Sequence, residues 1–200
     1  TLTAGVEKSN YSGGAGIDTF VFTTAALTSL DTVAGGDGVD ILQISAASTL
    51  IDSDFTNITS VATINNATTN AAQTITLGSL ADAAGIATIT GNGSGIDTVT
   101  VGSGFDNDLA ITLGTGDDNI IGSASAAALT VTAAADSIDA NDEIRGGTGS
   151  SDTIKITADN DASTGAVLGA SVTGIEAITV VASTTKDAML TTNDANLTDS

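Results

Sequence analysis

Two hundred residues suit one ordinary domain or one elongated solenoid. The chain carries 24 acidic residues against four basic ones, Lys8, Arg145, Lys155 and Lys186, and the net charge of −20 argues against nucleic acid and anionic membrane surfaces as partners. It has no Cys and no His, which removes disulfides, thiolate chemistry, zinc–cysteine sites, Ser-His-Asp and Cys-His catalysis, and most transition-metal sites.

The acids are lopsided: 21 Asp stand against Glu7, Glu143 and Glu176. A hydrophobic fraction of 41%, with patterned Ile, Val and Leu, sets the chain apart from a disordered polyanion. Asp-rich turns in such a chain point to a hard divalent cation as counterion. The start, TLTAGVEKSN, has no apolar core of a signal peptide, and no apolar run approaches a membrane span. Both ends read like edges of a longer chain.

Along the chain, the first feature is SGGAGIDTFVF at 12–22, a glycine turn running into an alternating segment. AGGDGVDILQI follows at 34–44 and NITSVATI at 57–64, with Asn65 and Asn66 read as a tight corner. Period-two strands are predicted at 73–77, 87–90, 98–101, 110–113 and 129–132, with Ile, Val and Leu on one side and Thr or Ala on the other. Further glycine–aspartate turns lie at 91–101, 101–108, 113–121 and 145–156. The Ala-rich pieces at 123–128 and 132–142 read as loops or single helical turns. The strands are too short for a free-standing sheet and suit stacked rungs.

Two repeats organise these elements. Gly93, Gly95 and Asp97 match Gly102, Gly104 and Asp106 nine residues on, a nonapeptide period expected of β-rolls and parallel β-helices. A longer repeat relates 31–44 to 142–156 and 57–64 to 172–180, so one solenoid with internal copies at about 12–64 and 114–180 is expected.

Glycine permits positive φ and close backbone approach, so a Gly-Gly-x-Gly turn directs carbonyls inward while the following Asp adds a carboxylate. Calcium takes six to eight such oxygens, and two turns a rung apart supply more of that set than one. The candidate ligand positions are Gly13, Gly14, Gly16, Asp18, Gly35, Asp37, Asp40, Gly95, Asp97, Gly104, Asp106, Gly116, Asp117, Asp118, Gly147, Gly149 and Asp152. Asp31 and Asp142, four residues ahead of paired turns, are either further ligands or solvated loop acids. Glu176 is an ion-pair or ligand candidate, and Lys155 an outward, solvated residue.

GGAGIDTFVF, GGDGVDILQI and GGTGSSDTIKI resemble the calcium-binding nonapeptide of the RTX (repeats-in-toxin) family. TGIEAITV at 173–180 resembles a strand of RTX-related surface-layer proteins of Gram-negative bacteria. The resemblance implies an all-β, right-handed parallel β-helix or β-roll, Ca2+ in the turns, and type I secretion to the cell surface. It departs from the toxin pattern at Asp108, which stands where an apolar residue is expected, and at the Ser inserted before Asp152.

The expected function is structural: a secreted, calcium-dependent protein that self-associates into a surface layer or filament, with cell-surface polysaccharide as a candidate anchor. The alternatives are the repeat stalk of an adhesin and the secretion domain of an RTX exoenzyme. An active site within these residues is not expected. No glycine turn continues as a dinucleotide loop, the paired acids at 106–108 and 117–118 lack a sugar platform, and the Thr-x-Thr pairs are weighed as ice binders against plain exposed strand residues.

Overall fold

The fold was analysed in a computed structural model. It describes residues 1–3, 8–22, 27–67, 72–91, 93–95, 97–122, 124–157, 165–181 and 190–192. Of the residues singled out above, Glu7 and Lys186 lie outside the described residues.

Among the described residues all strand pairings are parallel, and the strands stack as a β-solenoid of about seven coils. The longest sheet has nine strands: Leu2–Thr3, Thr19–Phe22, Ile41–Ile44, Thr63–Asn66, Thr88–Thr90, Leu109–Thr112, Leu129–Ala134, Thr153–Thr157 and Ala177–Val181. A second sheet holds Ser48–Leu50, Gln73–Leu77, Thr98–Val101, Asn119–Ile121, Glu143–Arg145 and Val172–Thr173. A three-stranded sheet of Asn10–Ala15, Thr32–Asp37 and Ile58–Thr59 serves the first coils.

Burial alternates along nearly every strand because side chains point to opposite faces at period two. Phe20, Leu42, Ile64, Ile89, Ile111, Val131 and Ile154 form one in-register inward column of the long sheet. They join the inward residues of the second sheet, such as Ile75, Val99 and Ile120, in a single core. Each coil alone buries little; stacking makes the core continuous. The strands expected at 73–77 and 98–101 are present as such, and the other three shift by one or two residues at an end.

Three expectations are corrected. The coil period is not nine residues. Successive partners Thr19, Ile41, Thr63, Thr88, Ala110, Thr130, Thr153 and Ala177 are 20 to 25 residues apart. Nine residues carry the chain only from one sheet toward the other. Asn65 and Asn66 are not a corner: both lie in a strand, and Asn66 takes the inward place that Ile44 holds one coil earlier. The Ala-rich stretch from 132 is strand through Ala134. The related segments 41–44 and 153–157 occupy equivalent places in the long sheet five coils apart, as do 63–66 and 177–181.

A short helix, Ser79–Ala84, and a 3-10 turn, Asp52–Phe55, interrupt the β pattern. Gly85, at φ +95°, closes the helix. Its N-terminus is satisfied from a distance: Asp52 Oδ1 accepts the Gly78 and Ala81 N–H groups at 2.9 Å, and Oδ2 accepts Leu80 N–H at 3.3 Å. Asp52→Ala is expected to cost about 1–2 kcal/mol and to speed amide exchange at Gly78, Leu80 and Ala81. Unchanged exchange there, measured by NMR, would refute that role. Among the described residues no helix is long and apolar enough to cross a membrane.

Candidate metal centre: the glycine–aspartate turns

The turn at 12–18 has a partner, 22 residues on. Asn10–Ala15 pairs with Thr32–Asp37 so that Gly14 lies beside Gly36 and Ala15 beside Asp37. Both turns have the same backbone shape, with φ +114° and +97° at Gly14 and Gly16, and +103° and +135° at Gly36 and Gly38. These values explain why glycine fills the four positions. The Gly16 N–H donates to the Asp37 carbonyl at 2.8 Å.

Several acids stand immediately before strands, four of them (Asp40, Asp97, Asp118 and Asp152) closing glycine turns, and their carboxylates share one task. Each accepts the backbone N–H of the same register position one coil earlier. On the long sheet, Asp40 Oδ1 accepts Asp18 N–H at 2.8 Å, Asp152 Oδ1 accepts Leu129 N–H at 2.8 Å, and Glu176 Oε2 accepts Asp152 N–H at 2.7 Å. On the second sheet, Asp97 accepts Gln73 N–H at 3.0 Å, Asp118 accepts Asp97 N–H at 2.9 Å, and Asp142 accepts Asp118 N–H at 2.8 Å. On the short sheet, Asp31 accepts Ser9 N–H at 2.8 Å. A strand's leading N–H, left over where the parallel ladder begins, is thereby satisfied. The short Asp side chain suits this reach, and six of the 21 Asp fill it.

In four turns the first glycine makes room for the closing carboxylate. A Cβ on Gly13, Gly91 or Gly146 would sit 2.5, 3.0 or 2.8 Å from Oδ2 of Asp18, Asp97 or Asp152, and one on Gly35 would strike Asp40 Oδ2. Carbonyls of the neighbouring coil approach the same points: Gly35 O at Gly13, Ser60 O at Gly35, and Gly174 O at Gly146.

Charge accumulates along the second sheet. Asp97, Asp118 and Asp142 are all buried and stacked in register. Burial raises all three above the ordinary carboxylate range, and for Asp118 burial, with the Asp97 and Asp142 charges added, lifts the pKa to about 7. Asp118 is 1% exposed and its Oδ2 has no hydrogen-bond donor; Asp40 is fully buried and its Oδ2 has none either. Gly114 N–H eases the Asp118 charge without reaching hydrogen-bond geometry. Buried carboxylate oxygens without donors fit a cation better than they fit an apolar interior.

The other candidate positions divide clearly. Asp31, Asp142 and Asp152 are buried, with both oxygens taken by N–H or hydroxyl donors, so none of them is a solvated acid. Asp97 is buried too, bound by Gln73 N–H and the Asn66 amide. Asp18 is half-buried, while Asp37, Asp106 and Asp117 are exposed. The Gly93–Asp97 turn stacks on the turn ending at Asp118, where Gly116 lies against Gly95 O, and not on Gly104 and Asp106. Asp106 stands apart, its N–H and that of Asn107 donating to Asp82 Oδ1 at 2.9 and 2.7 Å. Gly147 and Gly149 lie over the Ser125 and Ala126 carbonyls. Among the described residues no three carboxylates converge as a ready-made cage, so turn carbonyls would complete a calcium shell.

Sequence reasoning missed Gln73, Asn66, Asp52 and Asp82 as members of these networks. Gln73 links three coils: its N–H goes to Asp97, its Oε1 accepts Ser48 Oγ–H at 2.7 Å, and its Nε2 donates to Ala46 O at 2.7 Å. Its place at the head of an alternating strand, much as Asp97 and Asp118 precede theirs, was the available signal. Comparison with protein-family models, curated proteins and solved structures finds no match for this chain.

Proposed function

We propose that this chain is a structural segment of a secreted, calcium-dependent cell-surface protein, similar to the RTX surface-layer proteins, that self-assembles into a layer or filament and has no catalytic role. The supporting observation is the pair of buried, donor-less carboxylate oxygens, Asp40 Oδ2 and Asp118 Oδ2, at stacked glycine turns. Asp40 and Asp118 are the side chains that would hold calcium, together with glycine-turn carbonyls. Bound calcium supplies positive charge where like charges stack and ties one coil to the next.

The expected energetic effect is large. A site with Kd near 10⁻⁴ M in about millimolar calcium adds about 1.4 kcal/mol; two, at Asp40 and Asp118, add roughly 3 kcal/mol, a large share of a domain's marginal stability. In submicromolar calcium that contribution vanishes, which suits a chain exported unfolded and folded outside.

Circular dichroism in metal-free buffer and in millimolar calcium, followed by electron microscopy, tests this. Calcium is expected to raise β content and melting temperature and to produce ordered sheets or filaments that disperse with chelator. Identical spectra and melts with and without calcium would sink the calcium assignment. Monomeric, extended particles in calcium would favour an adhesin stalk over a lattice.

A further inference from the structure

Among the described residues, most acids sit in turns or at strand starts, and the outward face of the nine-stranded sheet carries no Asp or Glu. From Thr19 to Val181, every outward position of that sheet is Thr, Ala, Val, Ile, Gln or Asn, except Lys155. In a chain of net charge −20, the outward face of the largest sheet is therefore neutral to slightly positive. The second sheet differs, since its outward positions include Glu143 and Arg145, which pair with each other.

We propose that this acid-free face is where two copies of the chain pack against each other; the inference rests on the self-assembly reading above and names the surface that assembly uses. Three features support a second copy as the occupant. Two strongly acidic molecules repel on most approaches, and contact through this face keeps their carboxylates at the rim or beyond. The face is regular, with Thr88, Thr90, Thr112, Thr130 and Thr132 in two register-aligned columns, so a two-fold pairing sets hydroxyls against hydroxyls along its length. Its size also fits. Nine strands about 4.8 Å apart and four residues of about 3.3 Å give roughly 38 by 13 Å, so two faces bury on the order of 1,000 Å². That is weak for an isolated dimer and adequate for a contact repeated through an array.

The chain has no Cys, so one introduced thiol reports its own neighbours. Full-length Thr112→Cys is assembled in calcium under mild oxidation, with Thr74→Cys, on the outward face of the second sheet, as comparison. Thr112→Cys is expected to give disulfide dimers only when calcium drives assembly, and Thr74→Cys to give few. The double variant Thr90→Asp, Thr112→Asp, checked by circular dichroism for an unchanged fold, is expected to raise the critical assembly concentration by at least about tenfold, since facing like charges cost several kcal/mol. Assembly without Thr112→Cys dimers, or with dimers through Thr74→Cys instead, overturns this surface and leaves self-assembly standing. A wild-type chain that folds in calcium and never assembles overturns both. Retention of that monomer on ice or insoluble polysaccharide, lost in the double Asp variant, would assign the face to that occupant instead.

Discussion

Gly146→Ala is expected to unzip the last coils of the solenoid. A Cβ at Gly146 would overlap the Gly174 carbonyl oxygen and lie 2.7 Å from its carbon and 2.8 Å from Asp152 Oδ2. None of these neighbours is the free end of a flexible side chain. The Gly174 carbonyl belongs to backbone that holds Gly146 itself, through the Gly146 N–H to Thr173 O bond at 2.9 Å, and Asp152 is pinned by Leu129 N–H and Gly147 N–H. Overpacking usually costs about 1–3 kcal/mol; with both walls fixed, a cost of about 3 kcal/mol or more is expected. In a solenoid stability is a sum of coil and interface contributions, so the damage is local. Amide exchange should accelerate across 143–157 and 165–181 while the strands at 63–66, 73–77, 88–90 and 98–101 keep their protection. Gly104→Ala is the comparison: its nearest neighbour would be the exposed Ser79 Cβ at 3.2 Å, and a change within about 1 kcal/mol is expected. Equal melting temperatures for the two variants would show that the tight coil-to-coil approach at Gly146 does not matter.

The contrast between Gly146 and Gly104 shows what was legible in the sequence. Both belong to glycine–aspartate motifs of similar spelling, yet one is locked between coils and the other faces an exposed serine. Alternation at Val99 and Val101 is a local property, so those strands could be located directly. Which turn lies on which depends on loop lengths between strands. The likeness of 93–97 to 102–106 is genuine in spelling, but the chain changes sheets between them, and Asp97 meets Asp118 instead. The helix at 79–84 was missed because its N-terminal partner, Asp52, lies 26 to 29 residues away. Asn66 looks like a corner residue until Asp97 is placed beside it. The carboxylates' part in satisfying amides of the previous coil was equally hidden: a motif that resembles a metal loop also solves a hydrogen-bonding problem at several strand starts.

In metal-free buffer, stability is expected to fall as pH rises from about 4 to about 7, opposite to the usual behaviour of paired carboxylates. The sign follows from Asp118. Its folded pKa of about 7 stands above the ordinary value of 3.8, so between those values the folded state holds a proton that the unfolded state has released. Stability then decreases with pH across that window and levels off above it. Each pH unit between the two values corresponds to about 1.4 kcal/mol, so the full effect is on the order of 4 kcal/mol. Asp97 and Asp142, also raised, act in the same direction. At about 2–4 °C per kcal/mol for a chain of this size, the melting temperature should drop by roughly 10 °C. Asp118→Asn keeps an oxygen to accept the Asp97 N–H and removes the titrating charge, so it should flatten most of the slope whatever it does to absolute stability. Calcium should make the slope shallower. A cation at Asp118 binds the ionised form, and a site with Kd near 10⁻⁴ M in about millimolar calcium offsets about 1.4 kcal/mol of that effect, so the melting temperature should fall less steeply with pH over the same window, and the difference should shrink in Asp118→Asn. Parallel pH profiles with and without calcium would show that these buried carboxylates are not where calcium acts, and a wild-type profile in metal-free buffer as flat as that of Asp118→Asn would remove the stacked charge from the account of stability.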